Sequence, residues 1–144
     1  MALPKDALKG WAVVVVDDEP DSLNVVRLLL EMHGATVIGG GNGHEGLELI
    51  EQHVPNFVIS DLAMPDMSGW EMIKALKSHQ NRQIANIPVI ALTAHAMDQH
   101  RRRAIEVGFH NFITKPLEPE KFVKQVIELL AVDMPELRSY IDTI

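Results

Sequence analysis

The sequence predicts an α/β fold, one parallel sheet covered by helices on both faces. Two observations carry this. Five short apolar runs alternate with five helix-like stretches along the chain, the order that gives a parallel sheet with crossover helices. The first run, Ala12–Val16, is continuous and β-branched, as in a strand buried on both faces rather than one facing water. At 144 residues, the chain is the size of one compact domain.

The elements follow in order. After the first strand, Asp21 offers an N-cap, and Leu23, Val26, Leu29 and Leu30 recur at helical spacing up to Gly34, a candidate C-terminal glycine. Thr36–Gly40 is the second strand. A helix carrying Leu47, Leu49 and Ile50 follows, and Pro55 breaks it. Phe57–Ser60 is the third strand. After a loop from Asp61 to Gly69, Ser68 and Glu71 have the spacing of a capping box, and the helix behind them carries Trp70, Ile73 and Leu76. Pro88 restarts the chain into the strand Val89–Leu92. A fourth, less apolar helix runs from about Met97 to Val107 and stops at Gly108. Asn111–Thr114 is the fifth strand. Pro119 suits the first turn of a fifth helix, where Phe122, Val123, Val126, Ile127 and Leu130 make one face. The expected organisation is an N-terminal extension over 1–10, a domain over 11–130 and a C-terminal extension over 131–144.

Composition narrows the function. Thirteen basic against twenty acidic residues give a net charge of −7, without the basic footprint of a nucleic-acid surface. The absence of cysteine removes disulfides, thiol catalysis and cysteine-ligated zinc. Met1–Gly10 has no apolar core and does not read as a signal peptide. The longest apolar run, Trp11–Val16, falls far short of the roughly 20 residues that span a bilayer. A cytoplasmic protein is expected.

In parallel α/β sheets, ligands bind beyond the carboxyl ends of the strands, so the residues there matter most. The first strand ends in Asp17 and Asp18, with Glu19 behind them. The third ends at Asp61, the fourth at Thr93, and the fifth at Lys115, followed by Pro116. Each residue alone reads as a helix cap or a solvated loop residue; four strand ends with matching chemistry do not. Crowded carboxylates repel unless a cation joins them. Mg²⁺, a hard ion that takes oxygen ligands and keeps exchangeable waters, suits them, as would Mn²⁺. Lys115 and the Thr93 hydroxyl add a point charge and a donor suited to phosphoryl oxygens.

Four blocks then stand in order: Val14-Val15-Val16-Asp17-Asp18-Glu19-Pro20, Asp61-Leu62-Ala63-Met64-Pro65-Asp66-Met67-Ser68-Gly69, Pro88-Val89-Ile90-Ala91-Leu92-Thr93-Ala94 and Phe112-Ile113-Thr114-Lys115-Pro116. Together they resemble the signature blocks of response-regulator receiver domains, over about Trp11 to Leu130. The resemblance implies a flavodoxin-like, doubly wound (βα)5 fold with strand order 2-1-3-4-5. It implies Asp61 as phosphoacceptor from a histidine kinase or histidine phosphotransfer protein, in a module that is not a multiple-turnover enzyme. It also implies Mg²⁺ on Asp18, Asp61 and the backbone carbonyl of Ala63, with Asp17 acting through a metal-bound water, and Lys115 pairing with Asp61 and then with the phosphoryl group. Thr93 and Phe112 become switch residues, Phe112 following Thr93 inward. Many receivers have tyrosine at the position of Phe112; the plainer reading is a core aromatic on an inner strand. Ala63 and His95, two residues beyond Asp61 and Thr93, are expected to flank the phosphoryl group.

Other readings compete. Gly41-Asn42-Gly43-His44-Glu45-Gly46 matches a dinucleotide fingerprint, with Asp66 at about the expected distance. It sits in the second strand–helix unit, beside acidic strand ends that would repel a pyrophosphate. Aspartyl phosphatases and dehalogenases carry Asp-x-Asp-x-Thr on the first strand, where this chain has Asp17-Asp18-Glu19-Pro20. A receiver-like interaction module that is never phosphorylated is a third possibility. The seven histidines show no tight zinc-ligand spacing. Arg101-Arg102-Arg103 reads as a solvated face or a partner contact, and Trp70 as packing.

After Leu130 fourteen residues follow, with Met134, Leu137, Tyr140 and Ile141 at helical spacing. That length does not hold a DNA-binding output domain, so output is expected through a downstream protein target, with no direct DNA or membrane binding. A homodimer through the fourth helix, fifth strand and fifth helix fits the same picture. A receiver cut from a hybrid histidine kinase is the alternative, since the run Ala91 to Met97 also resembles receivers fused to such kinases.

Overall fold

The computed structural model describes residues 3–64, 67–94 and 98–137. Its elements are β1 (Ala12–Val16), α1 (Pro20–Glu31), β2 (Thr36–Gly40), α2 (Gly43–His53), β3 (Phe57–Asp61), α3 (Gly69–Lys77), α4 (Arg82–Ala85), β4 (Val89–Thr93), α5 (Asp98–Val107), β5 (Asn111–Thr114) and α6 (Pro119–Ala131), then a 3₁₀ turn, Pro135–Leu137. All strand pairs are parallel, in the order β2-β1-β3-β4-β5. The flavodoxin-like, doubly wound expectation is met.

Side chains alternate across the central strands with period two. Val13, Val15, Phe57, Ile59, Ile90 and Leu92 face one core, built with α1, α6 and the terminal segments. Val14, Val16, Val58, Val89 and Ala91 face the other, built with α2 to α5. This is why the strands read as continuous apolar runs. The predicted face of α6, Phe122 to Leu130, is buried throughout.

Several local expectations are corrected. Asp21 does not cap α1; Glu19 is the N-cap and makes no side-chain capping bond. Pro20 starts the helix instead, because its fixed φ suits the first position and its missing N–H costs nothing there. Asp21 lies in the first turn, where a carboxylate favours the helix dipole. The short helix α4, capped by Asn81, was not foreseen; four residues are too few to show a periodic stripe. The predicted fourth and fifth helices are therefore α5 and α6. Phe112 is not on an inner strand. β5 pairs only with β4 and forms the sheet edge, and Phe112 is half-buried against the α2–α5 side.

The Ser68–Glu71 capping box forms as expected. Two of the fingerprint-like glycines, Gly43 and Gly46, serve packing, while a β-carbon at Gly41 would meet nothing within 4 Å. Asn42 caps α2 by accepting from the Glu45 N–H at 2.9 Å, and a β-carbon at Gly46 would stand 2.7 Å from Val16 Cγ2. Glycine there lets α2 lie close on β1. Both terminal segments join the core: Ala7, Leu8 and Leu137 are buried with α1 and α6. The predicted helical spacing at Tyr140 and Ile141 lies outside the described residues. No helix among the described residues is long and apolar enough to cross a membrane.

Candidate functional site

The parallel register delivers the predicted strand ends to one edge. Asp61 is the last residue of β3, Thr93 the last of β4, and Asp17 and Asp18 directly follow β1. Carboxylate oxygens of Asp17, Asp18 and Asp61 lie within 4.8 Å of one another. Lys115 follows β5, and its Nζ stands 3.2 Å from Asp61 Oδ2 and 3.6 Å from Asp17 Oδ2. Its backbone N–H donates to the Thr93 carbonyl at 2.8 Å, which ties the β5 end to the β4 end. The peptide bond from Lys115 to Pro116 is cis.

A cleft of about 230 Å³ opens here, lined by Asp18, Glu19, Asp61, Ala63, Thr93 and Lys115 among others. Asp17 sits below it, 1% exposed, while Asp61 is 7% and Thr93 5% exposed; Asp18 faces solvent. Asp17 Oδ1 accepts the Glu19 N–H at 3.0 Å, an Asx-type turn that shapes the entry to α1. Asp17 Oδ2 is buried with no hydrogen-bond partner; Lys115 is an ion-pair distance away but too far for a hydrogen bond. On the other strand end, Asp61 Oδ1 accepts the Ala63 N–H at 3.3 Å.

The electrostatics follow from burial and crowding. Burial raises the Asp17 carboxyl above its ordinary value; the Glu19 N–H and Lys115 oppose this, and Asp61 and Asp18 add to it. Crowding thus contributes, but desolvation is the larger cause. For Lys115, burial works to lower its pKa, but the carboxylates of Asp61 and Asp17 outweigh this and push it above the ordinary lysine value. A buried carboxylate oxygen without a donor, beside two more carboxylates, is what a hard divalent cation satisfies. The donor set therefore fits Mg²⁺ or Mn²⁺.

Every predicted site residue within the described ranges comes to this edge except Phe112. Phe112 lies alongside Ala91 in the β4–β5 register, two residues before the strand end, where Thr93 pairs with Thr114. His95 lies outside the described residues. Sequence reasoning missed what supports Asp61 from behind: Ser60 Oγ donates to the Asp61 carbonyl at 2.9 Å, and Gly69 N–H donates to the Leu62 carbonyl at 3.0 Å. The nearest clue was Ser60, a polar residue inside an otherwise apolar strand.

Residues 13–127 match the response regulator receiver domain family. The chain belongs to this family. The receiver is 33% identical over 115 residues to the polar-differentiation response regulator DivK of Brucella anthropi, an alignment covering 80% of this chain and 92% of that protein. It is 32% identical over 117 residues to the sensor protein GacS of Pseudomonas syringae pv. syringae, covering 81% of this chain but 13% of GacS. Among solved structures, the chemotaxis response regulator CheY4 of Vibrio cholerae superposes with a TM-score of 0.78 at 28% identity, covering 83% of this receiver and 98% of CheY4. Receiver domains are modules of two-component signalling and not metabolic enzymes.

Proposed function

We propose that this receiver takes a phosphoryl group on Asp61 from a phosphohistidine, and that the modified domain changes a protein-binding surface. The observation that carries the proposal is the gathering of the Asp17, Asp18 and Asp61 carboxylates within 4.8 Å, with Lys115 Nζ 3.2 Å from Asp61. A carboxylate needs no general base to act as a nucleophile at neutral pH. An Asp61 oxygen forms the new bond to phosphorus as the phosphorus–nitrogen bond of the donor breaks, and the imidazole leaves with the electron pair and a proton from solvent. Lys115, already paired with Asp61, balances charge on the incoming oxygens, so catalysis here is positioning and neutralisation.

Asp18, Asp61 and the Ala63 carbonyl would hold Mg²⁺, with Asp17 acting through a water. Bound there, the ion would neutralise phosphoryl oxygens and relieve the repulsion among the carboxylates. The phosphoryl group carries about −1.5 to −2 charge in place of the single charge of the Asp61 carboxylate, a net gain of up to about one negative charge and three acceptor oxygens. The Thr93 hydroxyl at the cleft wall is a donor for the new oxygens. Phe112 takes part only if its half-buried ring moves; identical ring chemical shifts with and without a phosphoryl mimic would remove it from the switch. On this reading the partners are a histidine kinase or phosphotransfer protein and a downstream protein target. The reading also includes a cytoplasmic location, no direct DNA binding and a homodimer through α5, β5 and α6; sedimentation with and without a phosphodonor tests the dimer.

The decisive experiment incubates wild type and Asp61→Asn with a small phosphodonor and Mg²⁺. Wild type is expected to take one phosphate that alkali and hydroxylamine release, as from an acyl phosphate, and the variant none. Absence of label on wild type, or equal label on the variant, overturns the proposal. A second reading is favoured by the match to GacS: a receiver segment of a hybrid kinase. An immunoblot decides between them, because a native polypeptide far longer than 144 residues supports the hybrid. A phosphorylation-independent module would bind its partner equally well, metal-free, as Asp61→Asn.

A further inference from the structure

The Asp61 backbone is constrained as closely as its side chain. Its carbonyl oxygen accepts the Ser60 hydroxyl at 2.9 Å, and Ser60 is fully buried. Gly69, the first residue of α3, lies against the same oxygen. A β-carbon at Gly69 would overlap the Asp61 carbonyl oxygen, and would lie 2.9 Å from Leu62 Cα and 3.2 Å from the Asp61 carbonyl carbon. All three are backbone atoms, so no change of rotamer makes room.

Glycine is not needed at 69 for its conformational freedom. Among the described residues the glycines with positive φ are Gly10, Gly34 and Gly108; Gly69 lies within α3. Space is the reason. The close approach is held from two directions. Gly69 N–H donates to the Leu62 carbonyl at 3.0 Å, and the Ser68–Glu71 capping box determines where α3 begins. The start of α3 is therefore locked onto the residues that end β3.

We infer that Gly69 and Ser60 are positioning residues for Asp61: α3 must abut the Asp61 carbonyl for the carboxylate to stand within reach of Lys115, Asp17 and Asp18. The inference rests on the reading of Asp61 as phosphoacceptor. The carbonyl and the carboxylate share one Cα, so a backbone displaced by added bulk carries the carboxylate with it. The 3.2 Å contact to Lys115 and the 3.3 Å bond from Ala63 N–H already lie near the long end of hydrogen bonding and leave little slack. A misplacement of about 1 Å costs on the order of 100-fold in rate.

The test compares full-length wild type, Gly69→Ala and Ser60→Ala. Mg²⁺ affinity is measured by calorimetric titration, labelling rate with a small phosphodonor at saturating Mg²⁺, and melting temperature alongside. Gly69→Ala is expected to label on the order of tenfold or more slowly and to bind Mg²⁺ more weakly. Ser60→Ala, which removes the tether without adding bulk, is expected to lose about threefold, the effect of one neutral hydrogen bond. A packing role alone would lower the melting temperature and leave the affinity and rate of the folded protein at wild-type values; that result for Gly69→Ala overturns the inference. If Gly69→Ala does not fold, Ser60→Ala decides in the same way. A wild type that binds Mg²⁺ but takes no label defeats the phosphoacceptor reading, and the affinities of the variants still judge the positioning.

Discussion

The two ends of the sheet handle polar groups in opposite ways. At the amino end the described residues cover the strand starts with local contacts. The Ala12 N–H at the start of β1 is capped by Asn56 Oδ1 at 2.7 Å, the Leu8 N–H donates to the His33 carbonyl at 2.8 Å, and Trp11 tilts against Phe57 with ring centroids 6.1 Å apart. Even the half-buried Lys77 spends its charge there, donating to the carbonyls of Ala85 and Ile87, both at 3.0 Å. At the carboxyl end, three carboxylates crowd together, two of them paired with Lys115, and Asp17 Oδ2 is buried without a donor. The amino end has only to stay shut. The carboxyl end leaves a buried acceptor, Asp17 Oδ2, without a protein donor, which costs stability that the rest of the domain offsets.

The largest expected effect breaks the closed end. Leu8 is fully buried with α1, α6 and Leu137. Leu8→Ala is expected to lower unfolding stability by roughly 2–5 kcal/mol, seen as a shifted urea midpoint, while the labelling rate of the folded protein at Asp61 stays at the wild-type value. A loss of labelling in the folded variant would mean the two ends are not independent.

The next effect has the opposite sign. Burial raises the Asp17 carboxyl above 3.8, so the folded state holds that proton more tightly than the unfolded chain. The stability this contributes is present below pH 3.8 and is lost as pH rises through the folded value. At neutral pH, metal-free wild type therefore carries an unfavourable buried charge. Asp17→Asn is expected to stabilise the metal-free protein by an amount on the order of 1 kcal/mol, with the gap in melting temperature widening as pH rises. The same variant is expected to bind Mg²⁺ more weakly. A variant no more stable than wild type would show that Lys115 already satisfies Asp17.

The smallest effect concerns the charge at the closed end. Desolvation lowers the Lys77 pKa below 10.5. Its contribution to stability is present above pH 10.5 and is lost as pH falls through the lowered folded value. The melting temperature of wild type relative to Lys77→Met is expected to rise between neutral pH and pH 10.5. A flat difference would show that the two carbonyls compensate fully for burial of the ammonium.

Much of this was legible in the chain. Strand runs of β-branched residues, the capping box at Ser68 and Glu71, and Pro119 at a helix start are local signals, and local backbone chemistry decides them. Asp17, Asp18, Asp61, Thr93 and Lys115 were legible as strand-end residues because a parallel sheet collects such ends at one edge. Two of the errors are local in origin, and the third lies where neighbours in space decide. Asp21 lost the cap to the geometry of Pro20, α4 is too short to carry a period, and Phe112 went to an edge strand whose burial depends on one pairing.

The sequence by itself determined the alternation of strands and helices, the buried faces and the set of acidic, hydroxyl and ammonium groups, because each follows from residue type and spacing. Only the tertiary structure decided that Asp17 keeps an unpartnered oxygen, that the terminal segments close the far end of the sheet, and that Gly69 stands against the Asp61 backbone. Those depend on distances between segments far apart along the chain, which no periodicity records.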